Sequence, residues 1–176
     1  SLADLKEMKD NVDIEIESFV HGSMCISYSG RCLLSNYMTG NRDANRGQCS
    51  QSCRWKYSLV ESNRPGEYYP IEEDEHGTYI FNSKDLCLIH RIPDLYEAGV
   101  DSLKIEGRMK SVHYCATVAK VYRTAIDAYL KEGKDWYVRP EWIAELEKIS
   151  HRPYTDGFAE GRPDETAQNY GKSTNT

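Results

Sequence analysis

Sulfur is the most prominent chemistry in this chain. Cysteines stand at positions 25, 32, 49, 53, 87 and 115. Cys25, Cys32, Cys49 and Cys53 fall in one glycine-rich stretch with Gly22, Gly30, Gly40 and Gly47 around them. Thiolates are soft ligands, so four of them in a loop that wraps closely suit zinc or an iron–sulfur cluster. Buried free thiols are the other reading of the same spacing. Zinc sites usually pair two close Cys-x2–4-Cys units, and only Cys49 and Cys53 are that close. A radical-type cluster motif starting at Cys49 would need a third cysteine where Lys56 stands, and is rejected. Cys115 lies on an apolar helical stripe and reads as a core residue.

Three other groups of residues could do chemistry. Arg42, Arg46, Arg54, Lys56 and Arg64 crowd one region, with Trp55 and Tyr57 interleaved. Such a stretch can grip phosphate and stack bases, or be a solvated strand face. Glu17 and Glu106-Gly107-Arg108 close expected strands, where α/β folds place active groups; they orient an anionic ligand or form an internal salt bridge. His21 and His113 lie near those strand ends, and His151-Arg152-Pro153-Tyr154-Thr155 makes a compact polar loop. There is no His-Glu-x-x-His zinc motif and no Gly-x-Ser-x-Gly elbow. A Cys nucleophile with His21 or His113 as base stays open.

The elements that must position these groups belong to a globular composition. Of 176 residues, 39% are apolar and 28% charged, and the net charge is −6. That charge argues against gripping nucleic acid by overall positive potential but leaves a local basic patch possible. No apolar run nears the ~18 residues of a membrane span. The opening Ser1-Leu2-Ala3 has neither Met nor a signal core, so the expectation is a piece of a longer cytoplasmic chain with reduced thiols.

Leu2, Leu5 and Met8 predict a helix over 1–10. Residues 13–20 alternate as a strand that ends in a His21-Gly22 turn. Residues 54–62 read as a strand paired by Tyr68–Ile71, with an acidic turn at 72–77 and a further strand at 78–82; together 54–82 form a β-rich hairpin insert. Ser83 starts a helix through Asp85, Leu86 and Ile89, and Pro93 opens another that Gly99 ends. Residues 100–106 are a strand. Ser111 caps the longest helix, whose stripe runs Val112, Cys115, Val118, Tyr122, Ile126 and Tyr129 until Gly133 stops it. Pro140 begins a last helix with Ile143, Leu146 and Ile149 inward, and the chain after His151 is loop. This βαβ order implies parallel strands, too few to close a barrel.

Several segments resemble one family in order: Glu17-Ser-Phe-Val-His-Gly22-Ser-Met-Cys25 with Cys32, Asn41–Cys49, Cys53–Tyr57, Asp85-Leu-Cys87, Ser102–Arg108 and His151–Thr155. They are similar to the U32 peptidases, the collagenase-like proteases, over about residues 1–158. The resemblance implies the C-terminal half of a TIM-like (β/α) barrel with a Cys-rich loop, and a polar tail at 159–176 leading to an absent C-terminal domain. It implies a 4Fe–4S cluster on Cys25, Cys32, Cys49 and Cys87, with Cys53 as alternative ligand; zinc, or no cofactor in this fragment, is the alternative. Asn36–Gly40 and Arg54–Tyr57 resemble the subgroup that hydroxylates wobble uridine of tRNA at position 5, with prephenate as hydroxyl source. On that reading Arg54, Trp55 and Lys56 touch tRNA, while Glu17, Glu106 and Arg108 shape a substrate pocket. The alternative is a peptidase acting on unfolded or collagen-like chains. An incomplete barrel exposes apolar edges, so a homodimer is a further expectation.

Overall fold

The computed structural model describes residues 1–25, 27, 32–40, 42, 44–55, 57–60, 62–67, 69–70 and 84–161. They divide into two compact units, one built from 1–24 with 84–161 and the other from 25–70.

The first unit is an open four-stranded sheet packed with helices. In chain order it contains α1 (Leu2–Asn11), β1 (Glu17–Ser23), then β4 (Asp85–Cys87), α3 (Ile92–Glu97), β5 (Ser102–Glu106), α4 (Val112–Glu132), α5 (Pro140–Glu147) and β6 (Tyr154–Thr155). The intervening α2 (Leu33–Thr39), β2 (Ser58–Leu59) and β3 (Tyr69–Pro70) belong to the second unit. The sheet order is β5-β1-β4-β6. β1 pairs parallel with β5 and antiparallel with β4, while β4 and β6 are parallel. The α/β class and the parallel β1–β5 pair match the sequence expectation. The sheet is mixed and not closed.

α4 forms where its signals placed it. The Ser111 side chain accepts a hydrogen bond from the Tyr114 N–H, and Gly133 ends the helix. Tyr114, Val118, Val121, Tyr122 and Ala125 turn inward at spacings of three and four. They meet Val20, Ile89, Leu95, Trp142 and Leu146 in one apolar core. α1 and α5 also lie close to their expected places.

Four expectations are corrected. The helix from Ser83 through Ile89 is instead strand β4 followed by a 3-10 turn at Ile89–Arg91. All three β4 residues are buried, so no alternation marks the strand, as is usual for one covered on both faces. The loop after His151 contains β6, which docks on β4. His21 and Gly22 do not turn the chain: β1 continues through them with a register shift between Phe19 and His21. Among the described residues of the strand expected over 54–62, only β2 forms, preceded by a 3-10 turn at Ser52–Arg54. β2 does pair with β3, as the sequence suggested; the strand at 78–82 lies outside the described residues. Among the described residues, no helix is long and apolar enough to cross a membrane.

Candidate functional site

In the first unit, the polar chemistry gathers around His21 and the β4–β6 pair. His21 is fully buried, ringed by Tyr122 (5.5 Å between centroids), Tyr154 (5.3 Å) and Tyr114 (6.0 Å). The Tyr122 hydroxyl donates to the Val20 carbonyl at 2.8 Å and accepts the Leu88 N–H at 3.1 Å. With its proton so committed, the long 3.4 Å contact to His21 is assigned to Nδ1–H as donor. Nε2 is then the bare lone pair. Neither it nor the buried Tyr114 hydroxyl has a hydrogen-bond partner among the described residues. Burial drives the His21 pKa down to about 4, so the ring is neutral at pH 7.

Beside it, Asp85 is fully buried and clasped by Arg152. The guanidinium donates to Oδ1 at 2.6 and 3.2 Å, and the Arg152 backbone N–H donates to Oδ2 at 3.1 Å. Burial alone would raise this carboxyl, but the Arg152 charge and bonds prevail and hold it low. Lys110 Nζ lies 3.9 Å from Asp85 and 5.1 Å from the Tyr114 ring centroid. His151 stacks on Tyr154 at 4.1 Å. The polar loop at 151–155 is therefore part of the sheet's buried charge balance. Sequence reading missed Asp85 and Arg152 as partners because a helix was expected at Asp85. It missed Tyr122 because that residue lies on the expected apolar stripe, and Tyr114 because the stripe put Val112 inward, whereas Val112 is exposed and Tyr114 is buried. The only available signal was the joint presence of Asp85-Leu-Cys87 and Arg152-Pro-Tyr154.

The strand-end carboxylates are not brought together. Glu17 opens β1 and pairs in register with Ser102, whereas Glu106 pairs with Gly22 at the other end of the same ladder. At ~3.3 Å per residue that is a separation of roughly 15 Å. Glu17 is half exposed, and accepts from Lys104 Nζ at 2.8 Å and Ser102 Oγ at 3.0 Å. The Lys104 hydrogen bond holds its pKa below the usual range. Glu106 and Arg108 do share one turn: Glu106 Oε1 accepts the Arg108 N–H at 3.1 Å, and the guanidinium is exposed. Gly107 packs this turn on α4, where an added Cβ would lie 2.5 Å from Cys115 Sγ. His113 is exposed on α4.

Cys87 is buried at the end of β4, in register with His21. Burial pushes its thiol pKa up, which disfavours the thiolate that a nucleophile and a metal ligand both need.

The second unit carries Cys25, Cys32, Cys49 and Cys53, none of them in a disulfide. Cys32 caps α2, and its Sγ accepts the Ser35 N–H at 3.4 Å. Cys49 Sγ accepts the Gln51 N–H at 3.3 Å, with Gln51 in the left-handed region at φ 55°. The buried Ser35 hydroxyl accepts the Ser50 N–H at 3.3 Å, which ties the start of α2 to the Cys49 loop. Cys53 follows in the Ser52–Arg54 turn. Among the described residues of this unit the buried side chains are Ser35 and Ser52, with no apolar one. No three His, Cys, Asp or Glu side chains converge as a ligand group among the described residues. The sulfur donors themselves suit a soft metal. Trp55 is exposed and stacks at 6.4 Å on Tyr57. Lys56 lies outside the described residues, and Arg54 is described only in its backbone.

An open mixed α/β sheet interrupted in the chain by a thiol-bearing unit defines the class. Comparison with known proteins gives it a family: residues 1–169 match the profile of Peptidase family U32, and the chain belongs to it. It is 49% identical to tRNA hydroxylation protein P1 of Bacillus subtilis, over 98% of this chain and 40% of that protein. It is 41% identical to tRNA hydroxylation protein P of Escherichia coli, over 97% and 46%. A protein of Porphyromonas gingivalis named collagenase is 37% identical over 85% and 39%. The chain thus spans less than half the length of these relatives. No solved structure matches it.

Proposed function

We propose that this chain is part of a protein that hydroxylates wobble uridine of tRNA at position 5, with tRNA as partner and prephenate as hydroxyl source. The observation that carries the reading is the close similarity to two proteins named for tRNA hydroxylation. In this reading residues 1–158 are the C-terminal half of a TIM-like barrel, 54–82 a β-rich insert, and 159–176 a tail toward a further domain. Cys25, Cys32, Cys49 and Cys87 hold a 4Fe–4S cluster, with Cys53 as the alternative ligand. Such a cluster, when bound, supplies one-electron or Lewis-acid chemistry. Support comes from the described residues of the second unit, where the sulfurs of Cys32 and Cys49 each accept a backbone N–H. Glu106 and Arg108 contribute to the substrate pocket from one turn. Glu17, held by Lys104 at the other end of the ladder, reaches it only through the rest of the protein. Arg54, Trp55 and Lys56 contact RNA. β5 is a sheet edge with Phe19 exposed beside it, so the isolated chain is expected to self-associate.

The test is anaerobic purification of the full-length protein with iron, zinc and acid-labile sulfide analysis, joined to tRNA nucleoside profiling of a deletion strain. Iron with sulfide, lost in Cys25→Ser, Cys32→Ser, Cys49→Ser and Cys87→Ser but kept in Cys115→Ser, together with missing 5-hydroxyuridine, is expected. Zinc in place of iron sinks the cluster; unchanged 5-hydroxyuridine sinks the function. The collagenase alternative predicts peptide cleavage blocked by cysteine alkylation, and the raised pKa of buried Cys87 speaks against that thiol as its nucleophile.

A further inference from the structure

We propose that the outer face of α2, formed by Leu33 and Tyr37, is a stacking platform for unpaired bases of RNA. The proposal rests on the tRNA reading and adds to it residues and a mode of contact. Leu33 and Tyr37 are four apart and so share one face of the helix. They are 84% and 85% exposed, which leaves an aliphatic side chain and a phenol ring in solvent side by side. The helix that presents them is well held. Ser35, on the opposite face, is fully buried and bonded to Ser50; Thr39 Oγ1 donates to the Ser35 carbonyl at 2.6 Å; Gly40 closes the helix in the left-handed conformation. The platform is therefore preorganised, and ordering it on binding costs little.

Local charge bears on the occupant. Residues 31–46 hold Arg31, Arg42 and Arg46 against Asp43, although residues 25–83 as a whole hold six Arg and Lys against seven Asp and Glu. Arg42 and Arg46 follow α2 directly and are exposed. A second exposed ring, Trp55, stands in the same unit on Tyr57. Exposed rings among arginines fit a polyanion with free π-faces, which is single-stranded RNA, better than they fit an apolar protein surface. A duplex hides its base faces and would gain only the charge.

The experiment uses the full-length protein and a fluorescein-labelled tRNA anticodon stem–loop, followed by anisotropy, with a blunt RNA duplex for comparison. Tyr37→Ala should weaken stem–loop binding by about 5- to 100-fold, the range for loss of one stacked base. Tyr37→Phe keeps the ring and should stay within about twofold. Leu33→Ala should weaken binding less than Tyr37→Ala. Duplex binding should not change. Because a variant can fail for reasons of folding, the unsubstituted protein is also crosslinked to a stem–loop carrying 5-bromouridine. The adduct should fall on the tryptic peptide 32–42. Equal stem–loop affinity of Tyr37→Ala and wild type, or crosslinks confined to other peptides, overturns the platform. A shift in sedimentation or thermal midpoint of Tyr37→Ala without RNA also overturns it, since the face is then covered by protein. The hydroxylation reading is scored separately by the nucleoside profile: 5-hydroxyuridine that still depends on the gene leaves it standing even if the platform falls.

Discussion

At the scale of single residues, His21 and the Gly107–Cys115 contact make measurable claims. His21 is neutral in the folded protein because burial lowers its pKa from 6.5 to about 4. In the unfolded chain it titrates near 6.5. As pH falls below 6.5 the unfolded state binds a proton that the native state refuses, so stability drops until about pH 4. The shift corresponds to a loss of about 3 kcal/mol across that window, none of it felt above pH 7. Urea unfolding at pH 7.5 and 5.0 should therefore show a fall at the lower pH that His21→Phe diminishes. An imidazole NMR resonance of His21 titrating near 6.5 in the native protein would exclude this account. Gly107 is a packing claim. Its missing side chain makes room for Cys115, whose Sγ is 3.5 Å from the Gly107 carbonyl. Gly107→Ala should cost about 1–3 kcal/mol through overlap. In a Cys115→Ala background most of that cost should vanish, because the overlapping atom is gone. A double-mutant cycle with no coupling between the two sites would refute the contact.

At the scale of elements, the join of β1 to β5 is the most exacting. Gly22 has φ +117°, and a Cβ there would sit 2.2 Å from the Glu106 carbonyl oxygen. The obstacle is backbone and cannot rotate away. Gly22→Ala should destabilise the protein by about 2–4 kcal/mol, from left-handed strain and overlap together, read as a thermal midpoint lower by roughly 5–15 °C. Ser111→Ala removes the α4 cap and should cost about 1 kcal/mol. These two positions also show what the sequence makes legible. Ser111 and Gly133 bound α4 through local chemistry, which a sequence displays directly. Gly22 looked like a turn because positive φ is a local property, whereas the partner that demands it, Glu106, is 84 residues away. β4 was misread for a related reason. Its three residues are buried on every side, and the Asp85 charge that suggests a helix surface is answered by Arg152 from beyond the far end of α5. Periodicity reports which face meets water, and an element with no wet face leaves no period. The cysteine cluster was legible as composition, but the backbone N–H groups on Cys32 and Cys49 were not, because they depend on loop conformation.

At the scale of the whole molecule, the two units differ in what holds them. The first has a continuous apolar core from Val20 to Leu146. The second, among its described residues, buries only Ser35 and Ser52 and consists of short helices and two-residue strands. Apolar burial supplies most of the favourable free energy of folding, so the units should not share one stability. Hydrogen exchange of the full-length protein should find α4 and β1 protected up to the global unfolding free energy, and α2 and the Ser52–Arg54 turn opening well below it. If thiolate–metal bonds supply the missing order, removing the metal under anaerobic conditions should raise exchange at residues 33–39 and 49–54 by at least about tenfold, while leaving 112–132 unchanged. The selectivity carries the argument. Metal loss that loosens both units equally would mean that the metal stabilises the whole fold, and loss that changes neither would mean that the cysteine-bearing unit is ordered by contacts of its own. Only the first pattern, confined to the cysteine-bearing unit, is consistent with sulfur doing there what leucine and valine do around α4.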